Sequence, residues 1–528
     1  MLDGCVPVLE ILKNCCNYSD NAALIDDRNE LKYSDLGGCV NSLSLFLNKR
    51  VSGKGKRIAI ISDYNNELII AILATMASGD VFVPIDSTLP MARVSEIVTA
   101  ASPCLILCDK GNYIKAKEIA DKHAIEISDI DILKGDKNLV FNISGERIDS
   151  CESQKYNSPE LHVDDPCVIY FTSGSTGKPK GVELSHGGYS YWYKNVSSLT
   201  RVDENDRVAL SANYCFDISL GEILLALLSG SSLYICDQRI KKSPYDLVRW
   251  LEDYKITIFQ IVPSLMKALM CNETRNFSLQ SLRVLISTGE NLEFRLVSEV
   301  ISHFRNTNFR ILNLYGPVEA SIHVSYCWAD RYIDRKVASI PIGKAFNDTN
   351  LKIVKKNEDD ESGELYIAGP QLALGYLNSE ITEKSFNRER TPDGNSIRYY
   401  KTGDIVSLNS YGDIIYKGRL DSQVKIRGIR IEIGDVENSL KSISGVTDSI
   451  VLPCSEDNET ILVAFAVCDK VLQKKLRRSL AGVIPIYMLP KHILFLDGLP
   501  INPNGKRDRA LLKKMYEEHR NKEIVSAI

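Results

Sequence analysis

Three short apolar runs, Lys56–Ser62, Asp80–Asp86 and Pro103–Asp109, follow one another closely, each bounded by polar turn residues. Between the first two, Glu67–Ser78 reads as a largely buried helix. Strand, helix and strand joined by short connections leave the strands only a parallel pairing, so this region is expected to form an α/β sheet. The rhythm returns from Tyr254 to Leu314, where two helical stretches separate three apolar strands. After about Ala338 the strands become short and are divided by Gly and Asn turns without clear helices, which predicts a small antiparallel sheet or barrel over 338–419. From Leu420 a further piece carries its own strands, Val424–Ile433, Asp448–Pro453 and Ile461–Cys468, and its own helices. A chain of 528 residues exceeds what one hydrophobic core supports. The expectation is a large domain over 1–419, made of two α/β subdomains and a small β-barrel, and a small mobile α+β domain over 420–528.

Composition narrows the function classes. With 44% hydrophobic residues, 25% charged residues and a net charge of −4, the chain gives no reason to expect nucleic-acid binding. No run of 18 apolar residues is present, so no membrane insertion is expected, and Met1–Pro7 lacks the basic start and apolar stretch of a signal peptide. The 14 cysteines include no C-x-x-C pair and several lie inside apolar strings, which reads as reduced core thiols in a cytoplasmic protein rather than a metal cluster.

The most telling string is Tyr170–Gly181, in which an apolar strand runs into a loop of Ser, Thr, Gly and Lys. Exposed backbone N–H groups, hydroxyls and lysines are what a phosphate chain requires. It is not a Walker loop, because two residues rather than four separate Gly174 from Gly177-Lys178.

This loop resembles the phosphate loop of the adenylate-forming superfamily, which includes acyl-CoA synthetases, luciferases and the adenylation domains of nonribosomal peptide synthetases. Other strings resemble the family's motifs and occur in the family's order: Leu31–Leu36, Ala77–Asp86, Asn313–Glu319, Gly363–Gly369 continuing to Gly375-Tyr376-Leu377, Tyr400–Asp404, Gly418–Gly428 and Leu499–Lys506. The resemblance covers nearly the whole chain. It is nearest to free-standing amino-acid adenylation domains and D-alanine–carrier-protein ligase.

The resemblance implies ATP and Mg²⁺ as cofactors and gives each motif a part. Thr172, Ser173, Gly174, Ser175, Thr176, Gly177 and Lys180 would wrap the phosphates. Asn313, Tyr315, Gly316 and Tyr416 would complete the ATP site, with Tyr315 stacking near the adenine. Asp404 would accept the ribose hydroxyls, Arg419 would contact the ribose or phosphate side, and Glu319 would hold Mg²⁺. Lys506 would be the catalytic residue, since a compact ammonium on a flexible stem reaches both the substrate carboxylate and the α-phosphate. Asp421 falls at the family's hinge, where few residues absorb the rotation of the small domain.

Substrate class turns on Asp217, which in the peptide-synthetase and D-alanine ligase branches pairs with the substrate's α-ammonium; an Asp at the start of an apolar helix is also a good N-cap. The resemblance adds Ile218, Gly221, Gln260, Ile286, Thr288, Leu314, Ile322 and His323 to the substrate lining. It contains no second acidic residue, which disfavours a basic substrate, and Gln260 and His323 could hydrogen-bond a polar group. The expected reaction is activation of a free amino acid as its aminoacyl-AMP with release of pyrophosphate. Transfer to a phosphopantetheine thiol would follow. No G-G-x-S carrier signature is found, since Val40 takes the serine's place in Leu36–Val40, so the carrier protein is expected to be separate. The alternative is an acyl-CoA synthetase acting on a non-amino carboxylic acid.

One position departs from the family's pattern. Val318 stands where a Thr is usual, and a valine can neither donate a hydrogen bond nor ligate a metal. Losing a charge-assisted hydrogen bond costs about 1.5–3 kcal/mol, so ATP handling is expected to be slower or weaker. Val318→Thr should therefore raise the rate of ATP–pyrophosphate exchange, and an unchanged rate would contradict this reading.

Overall fold

The computed structural model describes residues 4–134, 139–149, 159–174, 177–304, 309–333, 335, 337–390, 394–456, 459–501 and 507–527. The chain divides into two compact units: Met1–Ser87, Val98–Phe171 and Gly181–Leu420 form one, and Thr88–Ile97, Thr172–Lys180 and Asp421–Ile528 form the other.

In the first unit the described residues form two nine-stranded sheets and one antiparallel sheet. The strands Arg57–Ile61, Val81–Pro84 and Leu105–Asp109 pair in parallel, as the apolar rhythm requires. The helix Asn66–Ala77 that connects the first two is buried at every residue. Its start is fixed by Asn65, whose side chain accepts the Leu68 N–H and so satisfies one of the helix's orphan donors. The second nine-stranded sheet carries the parallel strands Ile258–Ile261, Val284–Thr288 and Arg310–Tyr315. One core takes residues from both sheets, among them Ile58 and Leu105 from one, and Ile258, Ile286 and Leu314 from the other.

The five-stranded antiparallel sheet follows, built on the long strand Ser396–Leu408, which pairs with Ser362–Ala368, Phe386–Arg390 and Ile414–Arg419. One element there differs from expectation. The helix Ser379–Ser385 stands where no clear helix was expected; Asn378 caps it by accepting the Glu380 and Ile381 N–H groups.

In the second unit a three-stranded sheet of Val446–Glu456, Glu459–Cys468 and His492–Phe495 packs over two apolar clusters. The run Val424–Ile433, read above as one strand, is instead a hairpin of Gln423–Ile426 and Ile429–Glu432. Arg427 and Gly428 both have positive φ, 51° and 75°. Two consecutive positive φ values belong to the tight turn whose twist matches flanking antiparallel strands, and Gly supplies one of them without strain. This unit also holds two pieces from earlier in the chain. An Arg93 guanidinium N–H donates to Asp435 Oδ2 at 2.9 Å. The Ser173 hydroxyl donates to the Arg430 carbonyl and accepts the Glu432 N–H, both at 3.0 Å.

Candidate functional site: a carboxylate-centred cluster in the first unit

The strand Arg310–Tyr315 ends in a stretch that turns sharply twice. Gly316 permits the first turn, because a Cβ there would lie 2.3 Å from the Ile322 carbonyl oxygen. The short helical turn Val318–Ala320 then buries Glu319, and Val318 packs against the main core. Ser321 and Ile322 have φ of 50° and 77°. A positive φ at a β-branched residue costs on the order of 1–3 kcal/mol and persists only where the surroundings hold it. The hold is visible: the Ser321 hydroxyl donates to the Gln371 carbonyl at 2.8 Å, and the Val324 N–H donates to the Tyr315 carbonyl at 2.8 Å.

Asp404 is the centre of the group expected to face the nucleotide. On the long antiparallel strand it sits directly opposite Arg419, and an Arg419 guanidinium N–H donates to its Oδ1 at 2.5 Å. Its Oδ2 accepts the Tyr315 hydroxyl. All three side chains are buried or nearly so. Burial, reinforced by the Asp404 charge, pushes the Tyr315 phenol well above its ordinary value, so it stays protonated and donates. A carboxylate has about four lone-pair positions, so these two donors leave room for a pair of hydroxyls. Asn313, on the same strand as Tyr315, is buried and donates to the Pro341 carbonyl at 2.9 Å, and Tyr416 is half-buried at the edge of the core.

Glu319 is 1% exposed, and its Oε1 accepts the Tyr376 hydroxyl at 2.5 Å. Among the described residues no three His, Cys, Asp or Glu side chains are grouped to hold a metal. Mg²⁺ bound with phosphates takes only one or two carboxylates and keeps several waters, a demand that one oriented, buried carboxylate fits.

The residues expected to line the substrate assemble through strand register. Gln260 pairs with Ile286, and Thr288 pairs with Leu314, so these four share one face of the parallel sheet. His323 lies beneath them in a closed chain: the Trp192 indole N–H donates to Nδ1 at 3.1 Å, and Nε2 is 2.8 Å from the Thr288 hydroxyl. An indole only donates, so Nδ1 is an acceptor, the imidazole is neutral, and Nε2–H donates to Thr288. Both ring nitrogens are therefore engaged inside the protein. Gln260 differs: it is 7% exposed and its Nε2 has no hydrogen-bond partner among the described residues. Gly221 lets Trp192 and Ile322 close in, since a Cβ there would lie 3.0 Å from the indole and 2.8 Å from Ile322 Cδ1.

Asp217 and Ile218 begin the helix Asp217–Leu227, both half-buried. Asp217 is not the N-cap; Phe216 is, and the Ser219 hydroxyl donates to the Phe216 carbonyl at 2.7 Å. As the first helical residue, Asp217 still sits where the helix dipole favours negative charge. Its charge also acts on the buried phenols of Tyr170 and Tyr189, both pushed well up chiefly by burial.

In the second unit, Gly174 and Gly177 shape the phosphate-type loop. A Cβ on Gly174 would lie 2.1 Å from the Lys178 carbonyl oxygen, and Gly177 has φ 85° and donates its N–H to the Gly174 carbonyl at 2.9 Å. Thr172 is half-buried, and Lys180 Nζ is 3.7 Å from Glu432 Oε1. Asp421 opens the main segment of this unit, its Oδ1 accepting the Gln423 N–H at 3.1 Å. Ser175, Thr176 and Lys506 lie outside the described residues.

A family model described as AMP-binding enzyme matches residues 12–377, and another described as AMP-binding enzyme C-terminal domain matches 435–506. The chain belongs to this adenylate-forming family. It is 31% identical over 91% of its length to malpibaldin synthetase of Mortierella alpina, and 31% identical over 94% of its length to tyrocidine synthase 1 of Brevibacillus parabrevis. It spans only 9% of the first and 44% of the second. An artificially fused adenylation–PCP di-domain, NpsA-ThdA from Klebsiella oxytoca, superposes with a TM-score of 0.76 at 25% identity, covering 93% of this chain and 94% of that one.

Within this adenylate-forming frame, sequence reasoning missed Trp192, Tyr376 and Glu222. Glu222 carries a legible signal, the lone charged residue in the largely apolar run Ile218–Leu228. Its Oε2 accepts the Ser211 and Ala212 N–H groups, both at 3.0 Å, which fixes the loop leading into Asp217. Burial pushes its carboxyl up to about 8 despite those donors and Lys241. A raised folded-state value means folding favours the protonated form, so the contribution to stability is largest below about pH 4 and is lost as pH rises towards 8. Glu222→Gln keeps an acceptor oxygen and abolishes the titration. Its melting temperature should therefore fall less than that of the wild type between about pH 5 and about pH 8; parallel profiles would contradict the assignment.

Proposed function

We propose that the protein uses ATP to activate an amino acid as its aminoacyl-AMP, releasing pyrophosphate, and then transfers the aminoacyl group to the phosphopantetheine thiol of a carrier protein. The observation that carries the amino-acid reading is Asp217, a half-buried carboxylate at the start of a helix whose next turn, at Gly221, is closed over by Trp192 and Ile322. A carboxylate at that place offers charge complementarity to a substrate's α-ammonium group.

In the first step a substrate carboxylate oxygen bonds to the α-phosphorus while the bond from that phosphorus to the bridging oxygen breaks, and pyrophosphate leaves with the electron pair. Two anions must meet, so the chain's task is to supply cations and donors fixed in advance. Lys506 would bridge the carboxylate and the α-phosphate. Asp404, held by Tyr315 and Arg419, would accept the ribose hydroxyls and set the distance from sugar to reacting phosphorus. Thr172, Ser173, Gly174, Ser175, Thr176, Gly177 and Lys180 would receive the leaving phosphates. Glu319 would hold Mg²⁺, which when bound neutralises charge developing on the phosphate oxygens.

The lining supports a neutral substrate side chain. His323 is uncharged, Ile218, Ile286, Leu314 and Ile322 are apolar, and no second carboxylate belongs to the set. Gln260, with its unpartnered amide, is the group suited to a single polar substituent.

ATP–pyrophosphate exchange over the 20 common amino acids, D-alanine, β-alanine and several non-amino carboxylic acids tests this reading, with ~20 reactions resolving the side-chain class. Exchange should be confined to neutral amino acids. Asp217→Ala should lower kcat/KM by about 100-fold or more, the effect of removing one partner of a desolvated ion pair. Exchange with non-amino acids alone, indifferent to Asp217→Ala, would replace this reading with that of an acyl-CoA synthetase.

A further inference from the structure

Arg398 is a half-buried cation that serves the backbone. It lies on the strand Ser396–Leu408, six positions before Asp404. Its two terminal nitrogens donate to the carbonyls of Ala373 at 2.7 Å and Leu374 at 2.9 Å, and its guanidinium lies 4.0 Å from the centre of the Phe386 ring. Burial and the like charge of Arg388 both pull the guanidinium below its ordinary value. A planar fork can grip two consecutive carbonyls and stack on a ring at once, which an ammonium cannot.

The segment it grips is the one that holds Glu319. The Ala373 N–H donates to the Glu319 carbonyl at 2.9 Å, and three residues further on the Tyr376 hydroxyl donates to the Glu319 carboxylate at 2.5 Å. Phe386, beneath the guanidinium, packs edge-on against Tyr376 with ring centres 6.3 Å apart. Segment 373–376 is also tied by the antiparallel pairing of Gly375 and Tyr376 with Glu183 and Val182, by the Leu374 N–H to the Glu183 carbonyl, and by the Thr382 hydroxyl, which meets both the N–H and the carbonyl of Tyr376. Arg398 thus closes the side of the segment from which Glu319 is approached twice, once through its backbone and once through its carboxylate.

We propose that Arg398 is a positioning residue for Glu319: by clamping the Ala373 and Leu374 carbonyls and capping Phe386, it holds Tyr376 in place to orient the Glu319 carboxylate for a divalent cation. This rests on the reading that Glu319 holds Mg²⁺. Groups that orient a metal ligand change metal affinity when removed, by about 10–100-fold, without needing to touch the substrate. Arg398 therefore governs the Mg²⁺ requirement more than the affinity for the amino acid.

The experiment titrates Mg²⁺ in two ways on the full chain: as ATP–pyrophosphate exchange, and as Mg²⁺-dependent calorimetric binding of a non-hydrolysable ATP analogue. Arg398→Lys should raise half-saturating Mg²⁺ by about tenfold in both, with the KM for the amino acid nearly unchanged. Tyr376→Phe should raise it similarly, and the double variant should be little worse than the stronger single one. A wild-type Mg²⁺ requirement in Arg398→Lys, with or without a lower melting temperature, overturns the proposal. So does loss of the fold in that variant, since a clamp on one segment leaves the sheet standing. Glu319→Gln separates the two possible failures. If it raises the Mg²⁺ requirement while Arg398→Lys does not, only the role of Arg398 falls; if it leaves the requirement unchanged, the metal reading falls as well.

Discussion

The Asp404 carboxylate ties two sheets of the first unit together through its side chain. Tyr315 reaches it from the end of a parallel strand, and Arg419 reaches it from the neighbouring antiparallel strand. A buried ion pair of this kind is a poor source of stability, because desolvation consumes most of the Coulombic gain. Its value lies in geometry. Two donors fix both oxygens, so the remaining lone pairs point in set directions before any ligand arrives, and a preorganised acceptor costs little reorganisation when the ligand binds.

The same strand extends this logic. Asp404 and Arg398 lie on one long antiparallel strand, one directed at the nucleotide-side group and the other at the segment carrying Tyr376. The turn after Tyr315 stores strain at Ser321 and Ile322, and it places His323 where Trp192 and Thr288 can close on it. Strain of this kind is tolerated when neighbouring packing over-determines it. Glu222 adds a second cost, a buried carboxylate kept to fix the loop before Asp217. These costs cluster around the residues to which chemistry is assigned, while the strands beneath them follow ordinary apolar patterning.

That division explains what was legible in the sequence. The strands Arg57–Ile61 and Val81–Pro84 and the helix Asn66–Ala77 could be read because their signal is local: apolar runs of strand length with turn residues between them. The motif residues could be placed because they occur in a fixed order. The chain from Trp192 through His323 to Thr288 could not be read, since its members are 131 and 35 positions apart and nothing local marks them as partners. Arg398 was missed for the same reason, its function being set by carbonyls 25 and 24 positions away. The hairpin at Arg427-Gly428 was missed for a different one: an alternation of apolar and charged residues on both sides hides a turn that only one glycine marks. The helix Ser379–Ser385 has too weak an apolar periodicity to stand out, and the cap at Asn378 is its only clear sign.

The account rests on Asp404 as a prearranged acceptor for a nucleotide's ribose, and calorimetric titration of AMP into the wild type and into Asp404→Asn tests it most directly. Both proteins should be shown by circular dichroism to be folded at the temperature used. Replacing one carboxylate oxygen by an amide nitrogen removes an acceptor and turns a donor towards either Tyr315 or Arg419. Loss of one charge-assisted hydrogen bond corresponds to about 1.5–3 kcal/mol, so AMP affinity should fall by about tenfold or more. Equal affinities in the two proteins would contradict the account.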